Sequence, residues 1–239
     1  MPHGRAQGGK HMRIYFIRHG DPNYKNDCLT ELGHRQAQAL AERLSASGIE
    51  QIYSSTNGRA MQTAEYTASR LGLAVVPLDF MREIGWKPIG EEPLPANGNP
   101  WNIADLFAAE GRTLTDPDWR TAYPFSMSVV SERYPLVTGQ FDGLLAELGY
   151  QREGEYYRAV GAHPYRTVAV FSHGGSSSAV LSHILNIPFP QICGMLRMAC
   201  TSVTVVELSD TEGERCCPHL LLFNDMRHAE GFSATVYDV

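Results

Sequence analysis

Arg13-Ile14-Tyr15-Phe16-Ile17-Arg18-His19-Gly20 is a short apolar run that ends in an arginine, a histidine and a glycine. Its length suits one buried strand. Far along the chain, Val168-Ala169-Val170-Phe171-Ser172-His173-Gly174-Gly175 has the same form. In open α/β sheets, ligands bind where strands leave the core at their carboxyl ends. Two strand-like runs that each deliver a histidine followed by glycine predict that both histidines reach one pocket.

Outward from these runs, strand patterns alternate with helical ones. Thr30 is a candidate N-cap for a helix with Ala37, Leu40, Ala41 and Leu44 on one face, stopped by Gly48. Ile49 to Tyr53 reads as a strand ending at Ser54-Ser55. Asn57 then caps a helix that turns Met61, Ala64, Ala68 and Leu71 inward and stops at Gly72. Leu73 to Leu78 is a third strand, followed by Met81-Arg82-Glu83-Ile84-Gly85-Trp86. Residues 88–135 hold seven of the 14 prolines and only short helical windows, which predicts an insertion lying as a cap over one end of the sheet. Phe141, Leu144, Leu145 and Leu148 resume helical spacing. Tyr150 to Arg158 is a hairpin or a loop, Ser176 to Leu185 a helix, and Ser202 to Leu208 and His219 to Phe223 are strands. The expected fold is α/β: a three-layer sandwich with a largely parallel central sheet flanked by helices, plus the inserted cap segment.

A net charge of −6 disfavours a nucleic-acid surface. No apolar run approaches the roughly 18 residues of a membrane span and no secretory segment is visible, so a cytoplasmic protein that avoids membranes is expected. Residues 1–11 read as an expression leader, with 12–239 forming a single domain. Five cysteines lack any CxxC spacing, and no clustered carboxylate or histidine motif offers a metal site.

The candidate chemistry follows from residue type. An arginine beside a strand-end histidine is costly to bury unless an anion shares the site, and its charge keeps His19 neutral and nucleophilic. Arg59 in the first turn of a helix opposes the dipole, a cost that an anion bound at that N-terminus would reverse. Glu83 suits a general acid if a bound phosphate dianion or apolar cover from Trp86 raises its pKa. Gly174-Gly175 would let backbone amides approach a ligand beside His173. Tyr24, Trp86, Trp101, Trp119, Tyr123 and Phe125 either line an entrance or pack.

Arg-His-Gly after the first strand, Leu-Thr-x-x-Gly at 29–33, Ser-Ser-x-x-x-Arg-Ala-x-Gln-Thr-Ala at 54–64, Glu83 and Ser-His-Gly-Gly at 172–175 closely resemble the histidine phosphatase (phosphoglycerate mutase-like) superfamily. The resemblance covers most of the chain from Met12 except the insertion. It implies that His19 is phosphorylated, that Arg18, Arg59 and His173 hold the phosphoryl oxygens, and that Glu83 is the proton donor. Asn23 and Ser54 match positions that often contact phosphate. No cofactor is implied, and the expected partner is a small phosphorylated substrate. Thr56-Asn57 and Asp21-Pro22 depart from the common pattern.

The expected activity is therefore that of a metal-independent phosphomonoester hydrolase. A phosphoglycerate-type mutase would want a basic cap, whereas residues 88–135 carry three arginines against seven carboxylates. A non-catalytic binding protein on the same scaffold is the third reading.

Overall fold

The computed structural model describes residues 11–95 and 100–229. Most of the expected leader lies outside these. His11, the last residue assigned to it, begins β1 and pairs with Ser209.

The amino-terminal half runs β1 (His11–Arg18), β2 (Pro22–Asn23), β3 (Cys28–Leu29), α1 (Glu31–Leu44), β4 (Gln51–Ser55), α2 (Gly58–Leu71) and β5 (Val75–Leu78). The cap contributes α3 (Ile103–Ala109), and α4 (Val130–Glu147) follows it. The remainder is β6 (Tyr150–Glu153), β7 (Tyr156–Ala159), β8 (Thr167–Ser172), α5 (Gly174–Leu185), α6 (Phe189–Met195), β9 (Val203–Ser209), β10 (Arg215–Cys216) and β11 (His219–Asp225).

The main sheet has six strands in the order β11-β9-β1-β8-β4-β5. Strands β1, β8, β4 and β5 are parallel, and β9 runs antiparallel to both neighbours. Strand alternation explains why β1 and β8 read as continuous apolar runs. Phe16, Val168 and Val170 pack on one face with Phe141, Val180 and Ile184, while Ile17, Ala169 and Phe171 pack on the other with Leu40, Ile52 and Ala64. A strand covered on both sides has no polar face to show. This is the expected three-layer sandwich.

The central pairing also builds the site. Strands β1 and β8 are adjacent with Arg18 opposite Ser172, so the residues that follow each strand emerge side by side. The His19 amide donates to the Ser172 carbonyl at 2.9 Å.

Several boundaries differ from expectation. Helix α1 stops at Leu44, not Gly48, because the hydroxyls of Ser45 and Ser47 take the carbonyls of Glu42 and Leu44. Helix α2 buries Thr63 and Thr67 completely and leaves Met61 and Leu71 partly exposed, so its inner face is rotated from the one that apolar residues alone indicate. Helix α5 begins at Gly174, directly after the strand-end histidine. Helix α4 starts at Val130 and carries Pro135 in its second turn, so the inserted segment ends about six residues earlier than its proline content suggests. Tyr150 to Arg158 is the hairpin of the two alternatives.

The Leu-Thr-x-x-Gly motif has a local physical basis. Thr30 caps α1 by accepting from the Gly33 amide at 3.1 Å and donates to the Asp21 carboxylate. A Cβ on Gly33 would overlap the Asp21 backbone carbonyl. Gly33→Ala is therefore expected to lower stability by about 2 kcal/mol, against the gain of ~1 kcal/mol that helix propensity alone gives. Urea unfolding midpoints of the two proteins measure the sign.

Candidate active site

His19 is 1% exposed, and its Nδ1 lies 2.7 Å from the Gly20 carbonyl. A carbonyl only accepts, so Nδ1 carries the proton and Nε2 is left as a lone pair. The Gly20 amide donates to Thr63 Oγ1 at 3.0 Å, and Thr63 donates to the Arg59 carbonyl, tying the histidine loop to α2. From the other side, the Thr201 amide is shared between the carbonyls of Arg18 and His19 at 3.0 and 3.1 Å. Thr201 has φ +59°, a left-handed conformation that costs a β-branched residue energy and persists only where the surroundings enforce it.

His173 is fully buried, and its ring centroid lies 5.1 Å from that of His19. Its Nε2 is 2.8 Å from Ser55 Oγ, while Nδ1 is buried with no partner in the protein. Arg18 donates from Nη1 to the Met198 carbonyl at 2.6 Å, and its buried Nε is unpartnered. Arg59 pairs with Asp27, its guanidinium lies 5.3 Å from the Tyr24 ring centroid, and its Nε is likewise buried and unpartnered.

Two helix N-termini open on this site, and each already holds a carboxylate. At α2, Asp27 accepts from the Gly58 amide at 2.8 Å and from Asn57 Nδ2 at 3.1 Å, besides pairing with Arg59. Partial burial pushes the Asp27 pKa up, but those donors and the guanidinium outweigh it and hold it below the usual value. The expected Asn57 side-chain cap is thus not formed. Its Oδ1 instead accepts from the Glu83 amide at 3.3 Å. At α5, Glu83 Oε1 accepts from the Ser176 amide at 3.2 Å and from its own neighbour Ile84 at 2.9 Å. Burial dominates for Glu83 and raises its pKa, overcoming these two amides and the charges of Arg18 and Arg59. A carboxyl that keeps its proton more readily than usual suits a general acid.

The glycines of the second histidine motif serve side chains. A Cβ on Gly175 would overlap the Glu83 carboxylate, and one on Gly174 would lie 3.0 Å from the Trp101 ring. Gly175 thus lets Glu83 reach the helix amide, and Gly174 lets the cap indole settle beside Arg18.

Of the ten residues singled out from sequence, His19, His173, Arg18, Arg59, Glu83 and Gly174 converge, with Tyr24 at the rim. The other three make different contacts. Ser54 donates to the Ser55 carbonyl at 3.0 Å, so the neighbouring serine presents the hydroxyl. Asn23 accepts from the Asn26 amide at 3.3 Å within its own loop. Trp86 stacks on Phe189 at 5.5 Å beside Phe125, packing inside the cap rather than lining the cluster. Trp119 and Phe125 are buried in the same aromatic cluster, whereas Tyr123 is exposed. Ser55, Asp27, Thr63 and Thr201 join the site as well, although the sequence pattern gives none of them a role there.

Residues 3–94 match the model of the histidine phosphatase superfamily (branch 1). The match takes in Arg18-His19-Gly20, the 54–64 block and Glu83, which are similar to the motifs of that superfamily. The probable phosphoglycerate mutase GpmB of Yersinia pestis is 33% identical over 122 residues, covering 46% of this chain and 57% of that protein. The chain thus spans little more than half the length of the curated relatives it matches. The mycobacterial glucosyl-3-phosphoglycerate phosphatase solved with VO3 aligns at 26% identity with a TM-score of 0.58, covering 89% of this chain and 99% of that one. Phosphoserine phosphatase from Entamoeba histolytica shares the fold, with a TM-score of 0.61 at 19% identity over 91% of this chain and 98% of that one. Among the described residues no helix is long and apolar enough to cross a membrane, and no group of His, Cys, Asp and Glu could hold a metal ion.

Burial, then the charges of Arg18 and Arg59, push the His19 pKa well below 6.5. Burial, then His19 and the arginines, do the same for His173. Both imidazoles protonate near their ordinary pKa only in the unfolded chain, so the unfolded state gains protons that the native state refuses. Stability is accordingly complete above that pKa and declines as pH falls below it. A thermal melting midpoint that drops between about pH 7 and 5.5 is the expected result. The pH profile of kcat/KM should show no loss from imidazole protonation near 6.5, since His19 stays neutral there.

Proposed function

We propose that this protein is a metal-independent phosphomonoester hydrolase that works through a phosphohistidine at His19 on a small phosphorylated metabolite. The observation that carries this reading is a set of buried nitrogens without protein partners, the donors Arg18 Nε and Arg59 Nε together with His173 Nδ1, grouped around a neutral histidine with a free Nε2 lone pair. Unsatisfied buried donors are costly, and a tetrahedral anion offers enough lone pairs to pair all of them.

In the forward step His19 Nε2 attacks phosphorus in line. The P–O bond to the leaving group breaks, and Glu83 gives its proton to the departing alkoxide. Glu83, now a carboxylate, takes a proton from water as that water attacks phosphorus, which breaks the P–N bond and releases inorganic phosphate and neutral His19. The guanidinium groups and His173 stabilise charge on the equatorial oxygens.

A mutase reading draws on the names of the curated relatives. The acidic cap, with three arginines against seven carboxylates over 88–135, favours the hydrolase, because a mutase must hold a substrate of higher negative charge. Phosphate release from an aryl phosphate in EDTA, without added bisphosphoglycerate, tests the choice. Negligible release that appears only with a bisphosphate primer would overturn the hydrolase. A screen over phosphorylated sugars, glycerates and nucleotides would then identify the substrate.

A further inference from the structure

Ser54 and Ser55 end β4, and strand alternation sends their side chains in different directions. Strand β4 lies beside β8 with Ser54 opposite Phe171, which carries Ser55 to the level of Ser172, the residue before His173. Ser55 and His173 are both fully buried, with Ser55 Oγ 2.8 Å from His173 Nε2. The same Oγ accepts from the Asn57 amide at 3.2 Å.

Proton bookkeeping decides between two arrangements. His173 is neutral, because burial and then the neighbouring charges depress its pKa, so it carries one ring proton. If that proton sat on Nε2 and pointed at Ser55, the serine proton would have no acceptor. Nδ1 would also present a lone pair to the anion that Arg18 and Arg59 attract. If Ser55 instead donates to Nε2, its Oγ still accepts from Asn57 and every group of the pair is satisfied. The ring proton then sits on Nδ1, the buried atom without a protein partner.

We infer that Ser55 is the positioning residue that holds His173 as its Nδ1–H tautomer, so that this N–H donates to a non-bridging oxygen of the phosphoryl group being transferred. The inference rests on the reading of His19 as the phosphoryl acceptor. The hydroxyl acts only through His173 and touches no substrate.

The test begins with the unliganded full chain carrying ¹⁵N-labelled histidine, in which the two ring nitrogens of His173 are assigned by NMR. The expected result is a protonated Nδ1 and a bare Nε2; a proton on Nε2 overturns the inference. Ser55→Ala should shift His173 toward a mixture of tautomers and lower kcat about 10²-fold, with KM changed by a few-fold at most. Ser55→Thr, which keeps the hydroxyl, should restore the tautomer and most of kcat. His173→Ala and the double variant should be equally slow, and a further loss in the double variant overturns the coupling. Should Ser55→Ala fail to fold, the wild-type tautomer and Ser55→Thr still decide. Failure of the phosphohistidine reading would appear separately, as a wild-type protein that takes no acid-labile label at His19.

Discussion

His19→Ala is expected to abolish turnover, with a loss of at least ~10⁴-fold in kcat. Nε2 of His19 is a buried lone pair whose partner nitrogen is locked by the Gly20 carbonyl. His173 lies 5.1 Å away but has its Nε2 engaged by Ser55, so it does not substitute as nucleophile. Arg18, Arg59 and His173 remain in the variant, so affinity for inorganic phosphate should survive the loss of chemistry. Rapid-quench experiments with a ³²P-labelled substrate should find an acid-labile, base-stable label in wild type and none in the variant. Turnover within tenfold of wild type would place the nucleophile elsewhere.

The second large effect belongs to Glu83. Glu83→Gln keeps the size and an acceptor oxygen for the Ser176 and Ile84 amides but has no proton to give. For an alkyl phosphate, whose leaving group needs protonation, kcat should fall about 10³-fold. For p-nitrophenyl phosphate the leaving group departs as an anion, so phosphorylation of His19 should be slowed much less. The following hydrolysis still wants a base, so the label on His19 should accumulate in the variant. Equal losses on both substrates, without accumulation, would remove Glu83 from proton transfer.

Much of this was legible in sequence because the signals are local. A buried strand covered on both faces shows as an apolar run, and a helix start shows as a cap such as Thr30. Histidines directly after two such strands converge if those strands are neighbours. The site residues without a local signal share a different property. Asp27 is a polar residue in a short loop, and only the folded approach of that loop to the start of α2 gives it Gly58 and Arg59 as partners. Thr201 lies in a connection before β9, where no residue pattern announces a left-handed backbone. Trp86 and Trp101 are both cap-side tryptophans in sequence. Packing sends one into the aromatic cluster around Phe189 and the other against Gly174.

The chain's own residue order determined the alternating α/β layers and the five motif blocks, because hydrophobic periodicity and capping act over a few residues. Tertiary structure alone decided the strand order, the reversed direction of β9, and which of two adjacent serines meets His173. Ser54 and Ser55 are identical in type and both buried, so nothing within β4 distinguishes them. Their roles diverge because successive strand residues face opposite ways and only one of those ways holds His173, the residue after β8.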